Sequence, residues 1–255
     1  MNDTVFKQRI SSIMTDNMYE RRLSGRTRGT LDMRGLHKVA TGSKNVFSQK
    51  VARKGKQYNI VLLIDESGSM GHPGWGDYKI DKAADVAVYL ATQFTGLNIN
   101  VSIVGFNKTL YTHLAFGESV NKDKIWRQIV DRANGDDYDQ FGKGFDRYDI
   151  ACNHDFDALA DAYKRLYGMK GTNLVIALSD GKPNCDHCGN SEYDQDKHRI
   201  QRIAGLIHDN QRIAKTIGIG VLYEAEQFPQ RLTVHDLGEL KSKLAEVLKK
   251  EIKRA

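Results

Sequence analysis

Residues 59–70, NIVLLIDESGSM, pass from a wholly apolar run straight into a polar loop, and this junction constrains the fold more than any other stretch. Ile60 to Ile64 are apolar at every position over a span too short for a helix, which predicts a strand buried on both faces of a parallel sheet. Asp65 then stands at the strand's carboxyl end. In open α/β sheets ligands bind beyond that edge, and Gly68 lets the following loop turn tightly. Asp65, Ser67 and Ser69, at alternate positions, bring together one carboxylate and two hydroxyls. Hard oxygen donors of this kind suit Mg2+ or Mn2+, which favour octahedral oxygen and retain waters.

A second junction of the same kind is TNLVIALSDGKPN, residues 172–184, where an apolar strand ends in Asp180 followed by Gly181 and Pro183. An Asp at the carboxyl end of a later parallel strand faces the first loop across the same edge and adds another oxygen donor. The rest of the chain alternates around these two strands. Helical apolar faces run over 79–94, 121–133 (capped by Asn121), 156–168, 192–210 and 237–252, and strand patterns over 98–107, 110–116, 214–222 and 231–236. This order predicts an α/β fold with a doubly wound, mostly parallel, Rossmann-like sheet flanked by helices. It occupies residues 59–255, and residues 1–58 form a basic N-terminal extension.

The D-x-S-x-S loop after an apolar strand resembles the metal-ion-dependent adhesion site of von Willebrand factor A (VWA) domains. That resemblance implies one further ligand, usually Thr, at the start of a helix with Leu four and Ala five positions on. In NHDFDALADAYKRL, residues 153–166, Leu159 and Ala160 hold that phase and the ligand position falls on Asp155. A carboxylate stands where a hydroxyl is usual. With GTLDMRGLHKVATGSKNVF (29–47) and KTIGIGVL (215–222), these pieces resemble the VWA region of the aerobic cobaltochelatase T subunit over residues 29–250. The resemblance implies Mg2+ or Mn2+ held by Asp65, Ser67, Ser69, Asp155 and Asp180, with a vacant position for an acidic residue of a partner protein. It also implies a separate AAA+ ATPase partner, of the MoxR or cobaltochelatase S-subunit type. Leu31, Leu36 and Val39 are then expected to pack on the domain.

Composition narrows the remaining classes. The chain's 255 residues, 40% of them hydrophobic, suffice for one α/β core without disulfides or a membrane. No apolar run approaches the roughly 18 residues of a membrane-spanning helix, and MNDTVFKQRISS lacks a signal-peptide core, so the cytoplasm is expected. The net charge of +6 is unevenly spread: residues 1–58 hold 13 Lys and Arg against 4 Asp and Glu, a surplus of nine that leaves the remainder at −3. Arg21, Arg22, Arg26, Arg28, Arg34, Lys50, Arg53, Lys54 and Lys56 therefore steer toward an acidic partner or nucleic acid, or fold back on the acidic remainder. Sparse aromatic interleaving and the lack of a recognition motif weigh against nucleic acid.

Three cysteines, an odd number, argue against a disulfide framework. Cys185 and Cys188 have the two-residue spacing with which two thiolates share Zn2+, and Cys152 with His154 sits in another loop expected at the same edge. Reduced free thiols are the alternative. Residues 134–150 break both periodicities, yet Tyr138, Phe141, Phe145 and Tyr148 are too aromatic for an inert linker. A loop there gates the metal, meets a partner, or is held down by its own aromatics. No G-x-x-x-x-G-K-[ST] cradle is present, and Gly218-Ile-Gly220 fails the dinucleotide fingerprint. The sequence thus reads as a Mg2+-dependent protein-interaction adaptor, with a cobaltochelatase-like chelatase subunit or a Mg2+-dependent nucleic-acid-processing protein as alternatives.

Overall fold

The computed structural model describes residues 3–15, 21–51, 57–71, 79–95, 97, 99–134, 154–181, 192–222, 224–235 and 237–253. Its contacts separate residues 10–56 from a larger unit made of residues 1–9 and 57–255. Helix α1 (Asp3–Thr15) comes first in the chain. Strands β1 (Arg21–Arg26), β2 (Thr30–Leu31) and β3 (Phe47–Val51) then form a small antiparallel sheet in the order β1-β3-β2, with Arg21 opposite Val51 and Leu31 opposite Phe47. Between β2 and β3, Met33–Thr41 winds as a 3-10 helix. Asp32 caps its start by accepting from the Arg34 amide at 3.1 Å, and Gly42 ends it in the left-handed region at φ 79°.

The extension expected over residues 1–58 is therefore divided. RRLSGR places Arg at both odd and even positions, so no alternation announces the strand. Within the smaller unit Leu31 and Val39 are 46% and 52% exposed. Phe6, which drew no attention in the sequence, is fully buried within the larger unit with its ring 5.5 Å from that of Tyr89.

The larger unit is built on six strands. In chain order its elements are β4 (Tyr58–Asp65), α2 (Gly68–Gly71), α3 (Lys79–Phe94), β5 (Ile99–Phe106), β6 (Leu110–Leu114), α4 (Lys122–Asn134), α5 (Asp155–Leu166), β7 (Thr172–Ser179), α6 (Glu192–Asn210), β8 (Lys215–Val221), β9 (Arg231–Val234) and α7 (Leu237–Lys253). The sheet order is β6-β5-β4-β7-β8-β9, and only β6 runs antiparallel to its neighbour. The VWA-type α/β fold read from the sequence is thus the fold observed.

Alternation along β4 explains the two helical layers. Val61 and Leu63, with Val175 and Ala177 of β7, pack against Ala158, Leu159, Ala162 and Leu166 of α5 and Ile203 of α6. Ile60, Leu62 and Ile64 project to the opposite face, where α3 packs on β4, β5, β8 and α7. Each fully buried Ile or Leu contributes about 1.5–3 kcal/mol, so a polar substitution along β4 would unfold the unit. At the amino edge of the sheet Asn59 accepts from Asn100 at 2.9 Å and donates to Asn173 at 2.7 Å, pinning the register of the three central strands. The carboxyl edge is left for chemistry. From β4 the chain passes to β5 on one side, while β7 lies on the other, so the switch-point crevice opens at Asp65. Among the described residues no helix is long and apolar enough to cross a membrane.

Candidate metal centre

Asp65 ends β4 fully buried, and both its carboxylate oxygens are held. Oδ1 accepts from the Ser67 amide at 3.0 Å and Oδ2 from the Ser179 hydroxyl at 2.9 Å. The first bond curls the loop over the strand end. It sets Ser67 Oγ 3.0 Å from Ser69 Oγ, and Ser69 Oγ donates to Asp180 Oδ1 at 3.2 Å. Asp180 follows the last residue of β7, one step beyond the Ser179 that touches Asp65. Its Oδ2 accepts from Lys79 Nζ at 2.6 Å. The four residues read from the two junctions are thus linked by hydrogen bonds, and Lys79, which the sequence reading passed over, is attached to Asp180.

Asp155 opens α5 and is 2% exposed, yet neither carboxylate oxygen has a hydrogen-bond partner. Burial, then the charges of Asp65 and Asp180, push its carboxyl well above the usual carboxylate range. Three carboxylates therefore act on one another at this edge. The carboxamide of Gln227 favours the charged form of Asp155 but falls short of closing a hydrogen bond to it. Gln227 is itself fully buried with both amide atoms unpartnered. It reaches the site on the loop between β8 and β9, where Phe228 lies flat on Gly218; a Cβ there would come within 2.5 Å of the ring. Nothing in the stretch AEQF, residues 225–228, marked it in the sequence.

A buried carboxylate without a partner is costly, and a cation removes the cost. Among the described residues no three His, Cys, Asp or Glu side chains converge closely enough to hold an ion alone. The serine hydroxyls and water must complete any shell, as a hard divalent cation prefers. The residues present fit such an ion: Ser67 and Ser69 as neutral donors, Asp65, Asp155 and Asp180 as carboxylates.

Behind the loop lies a second polar cluster. Glu66 points away from Asp65 and Ser67, is fully buried, accepts from Arg132 Nε at 2.9 Å and pairs with His113 Nε2. Arg132 also stacks 4.6 Å above the Tyr111 ring and reaches Thr109 Oγ1 at 3.3 Å. Room for the Glu66 carboxylate comes from Gly105, whose Cβ, if present, would lie 2.0 Å from Oε1. The cluster ties the metal loop to β5, β6 and α4. Sequence reading had no access to it, because residues 66, 105, 113 and 132 share no periodicity.

Cys152, Cys185 and Cys188 lie outside the described residues, as do residues 135–150 of the irregular insertion. His154, the fourth member of the expected zinc set, precedes α5 and sits with Nδ1 3.2 Å from Asp157 Oδ2.

A parallel sheet with an acidic, serine-bearing loop at its switch point defines the class of protein domain that carries a metal-ion-dependent adhesion site. The von Willebrand factor type A domain matches residues 59–230, and the chain belongs to that family. Among curated proteins, none matches the chain in sequence. Solved structures share its fold at low identity. The PilB minor pilin from Streptococcus sanguinis is 12% identical with a TM-score of 0.54, over 84% of this chain and 66% of that one. The pilus adhesin SpaC from Lactobacillus rhamnosus GG is 13% identical with a TM-score of 0.50, over 79% and 31%. The vWF domain of the type V pili tip protein Mfa5 from Porphyromonas gingivalis is 11% identical with a TM-score of 0.50, over 80% and 98%. The chain thus spans 66% of the minor pilin and 31% of the adhesin. VWA domains commonly serve as protein-interaction modules with a metal at this site.

Proposed function

We propose that this VWA domain is a Mg2+- or Mn2+-dependent protein-interaction module whose metal accepts an acidic residue of a partner. The observation that carries the reading is Asp155: a buried carboxylate with no hydrogen-bond partner, facing the charges of Asp65 and Asp180. Ser67 and Ser69 hold the ion directly, and Asp65, Asp155 and Asp180 hold it directly or through water. When bound, the ion supplies a Lewis-acidic position for a carboxylate from outside. The protein's own residues fix that position, exclude competing side chains and keep the loop closed over the strand end.

The sequence resemblance to the cobaltochelatase T subunit supports a finer reading, in which the partner is a separate AAA+ ATPase and the chain is its adaptor in the cytoplasm. A cobaltochelatase-like subunit is the enzymatic version of the same association, and a tetrapyrrole pathway encoded nearby would favour it. Affinity capture from the native cell, with and without chelator, separates these readings from a Mg2+-dependent nucleic-acid-processing protein. Recovery of an ATPase only with Mg2+ supports the adaptor; recovery of nucleic acid alone overturns it.

Calorimetric titration of Mg2+ and Mn2+ tests the site itself. Asp65→Ala, and Ser67→Ala with Ser69→Ala, should abolish high-occupancy binding; urea unfolding of each variant reads separately the stability lost with the buried Asp65 bonds. Asp155→Lys should do the same by placing a cation against the ion. Unchanged binding in all three would remove the metal from the proposal.

A further inference from the structure

Lys79, carried by α3, turns its ammonium to within 2.6 Å of Asp180 Oδ2, with the two side chains only 16% and 8% exposed. A lysine paired with a carboxylate of the site adds its charge to that site.

Charge counting shows what it does there. A VWA site with a hydroxyl at the Asp155 position has two carboxylates, which a divalent ion neutralises. Here Asp155 adds a third carboxylate, so the same ion leaves one negative charge. That charge weakens the attraction for an incoming Asp or Glu, in a partly buried setting where electrostatic interactions are only weakly screened. The Lys79 ammonium, paired with Asp180, offsets that charge. Being bound to Asp180 Oδ2, it does so without taking the Ser69-facing Oδ1.

We infer that Lys79 is a specificity-determining residue of the metal site, the built-in counter-charge that lets a three-carboxylate VWA site accept an acidic ligand. The inference rests on the metal-dependent interaction reading above and adds to it the residue that sets ligand charge. Asp155 and Lys79 then work as a pair. The carboxylate strengthens retention of the ion, and the ammonium prevents that gain from being lost as repulsion of the partner.

The test uses the full chain, its Lys79→Gln and Lys79→Arg variants, and two probes. Mg2+ is titrated alone; a blocked Gly-Glu-Gly peptide is then titrated into Mg2+-saturated protein, with blocked Gly-Gln-Gly as neutral control. Lys79→Gln should bind Mg2+ at least as tightly as the parent chain, yet bind the Glu peptide about tenfold more weakly. Lys79→Arg should keep both affinities within about threefold, since the charge is retained. A Lys79→Gln variant that tightens Mg2+ but keeps its peptide affinity would make Lys79 a mere competitor of the ion, and overturn the inference. Weakened Mg2+ binding in the same variant would make Lys79 a structural support of Asp180, and would overturn the inference equally. A parent chain that binds Mg2+ but never the Glu peptide would instead overturn the interaction reading beneath it, and the inference with it.

Discussion

The Ser179 hydroxyl donates to Asp65 Oδ2 across 2.9 Å, joining the carboxyl ends of β7 and β4. Asp65 pairs in register with Phe106 of β5, and Ser179 with Gly220 of β8, so this bond spans the centre of the sheet edge. It fixes the orientation of the one carboxylate on which the serine loop depends. Hydrogen bonds to charged groups contribute about 1.5–3 kcal/mol, so Ser179→Ala should weaken Mg2+ binding about tenfold and destabilise the domain by a similar energy. Parallel calorimetry and urea unfolding would check this. A variant with parental affinity would mean that the Ser67 amide alone positions Asp65.

Gly105→Ala should be among the most damaging single changes outside the core. The added Cβ would sit 2.0 Å from Glu66 Oε1, and Glu66 cannot move without leaving Arg132 and His113. Separating a buried ion pair typically costs about 3–5 kcal/mol, because one charge is left uncompensated. The unfolding midpoint in urea should fall accordingly, and Mg2+ affinity with it, since Glu66 is flanked by Asp65 and Ser67. A loss below about 1 kcal/mol would show that the loop is held by other contacts.

The elements of the α/β unit were legible because their patterns are strong and local. Lys79–Phe94 and Glu192–Asn210 match the expected helices residue for residue, and Asn121 caps α4 through the Lys124 amide at 3.1 Å. Asp65, Ser67, Ser69 and Asp180 were legible for a related reason: each follows directly on an apolar strand whose direction fixes the edge. Asp155 needed a family resemblance, since nothing local distinguishes it from Asp157 or Asp161. Glu66, Lys79 and Gln227 escaped notice because their roles depend on partners far along the chain. Lys79 meets Asp180 from 101 residues away, and Glu66 meets Arg132 from 66. The small β1-β3-β2 sheet escaped because charged residues at both odd and even positions of RRLSGR leave no alternation to read.

Asp155 predicts a characteristic pH response. Its folded-state carboxyl is raised well above 3.8, mainly by burial, so over a window beginning there the native chain keeps a proton that the unfolded chain has lost. The unfolded state then binds fewer protons, and stability falls as pH rises through that window. Divalent ion affinity should rise over the same window, because the ligand must lose its proton to bind. Asp155→Asn should flatten this contribution to the stability profile and be more stable than the parent chain at neutral pH without metal, while losing most Mg2+ affinity. Urea unfolding across pH, with and without Mg2+, would check all three statements. A parent chain whose metal-free stability followed the same course through the window as the variant's would contradict the placement of Asp155.

Gln227→Leu should produce an opposed pair of changes that a purely structural residue would not. Both amide atoms of Gln227 are buried without partners, and such groups cost about 1–3 kcal/mol, so an apolar side chain of similar size should hold or raise the metal-free melting temperature. The same change removes a dipole that favours the charged form of Asp155, so its proton is held more firmly and Mn2+ should bind more weakly. Stability up and affinity down is the pattern expected where a site is maintained at the expense of the fold. Thermal melts without metal and Mn2+ titration of both chains would read the two effects. A variant that melts lower and binds Mn2+ normally would show that Gln227 serves the packing of the loop between β8 and β9 and takes no part in the metal centre.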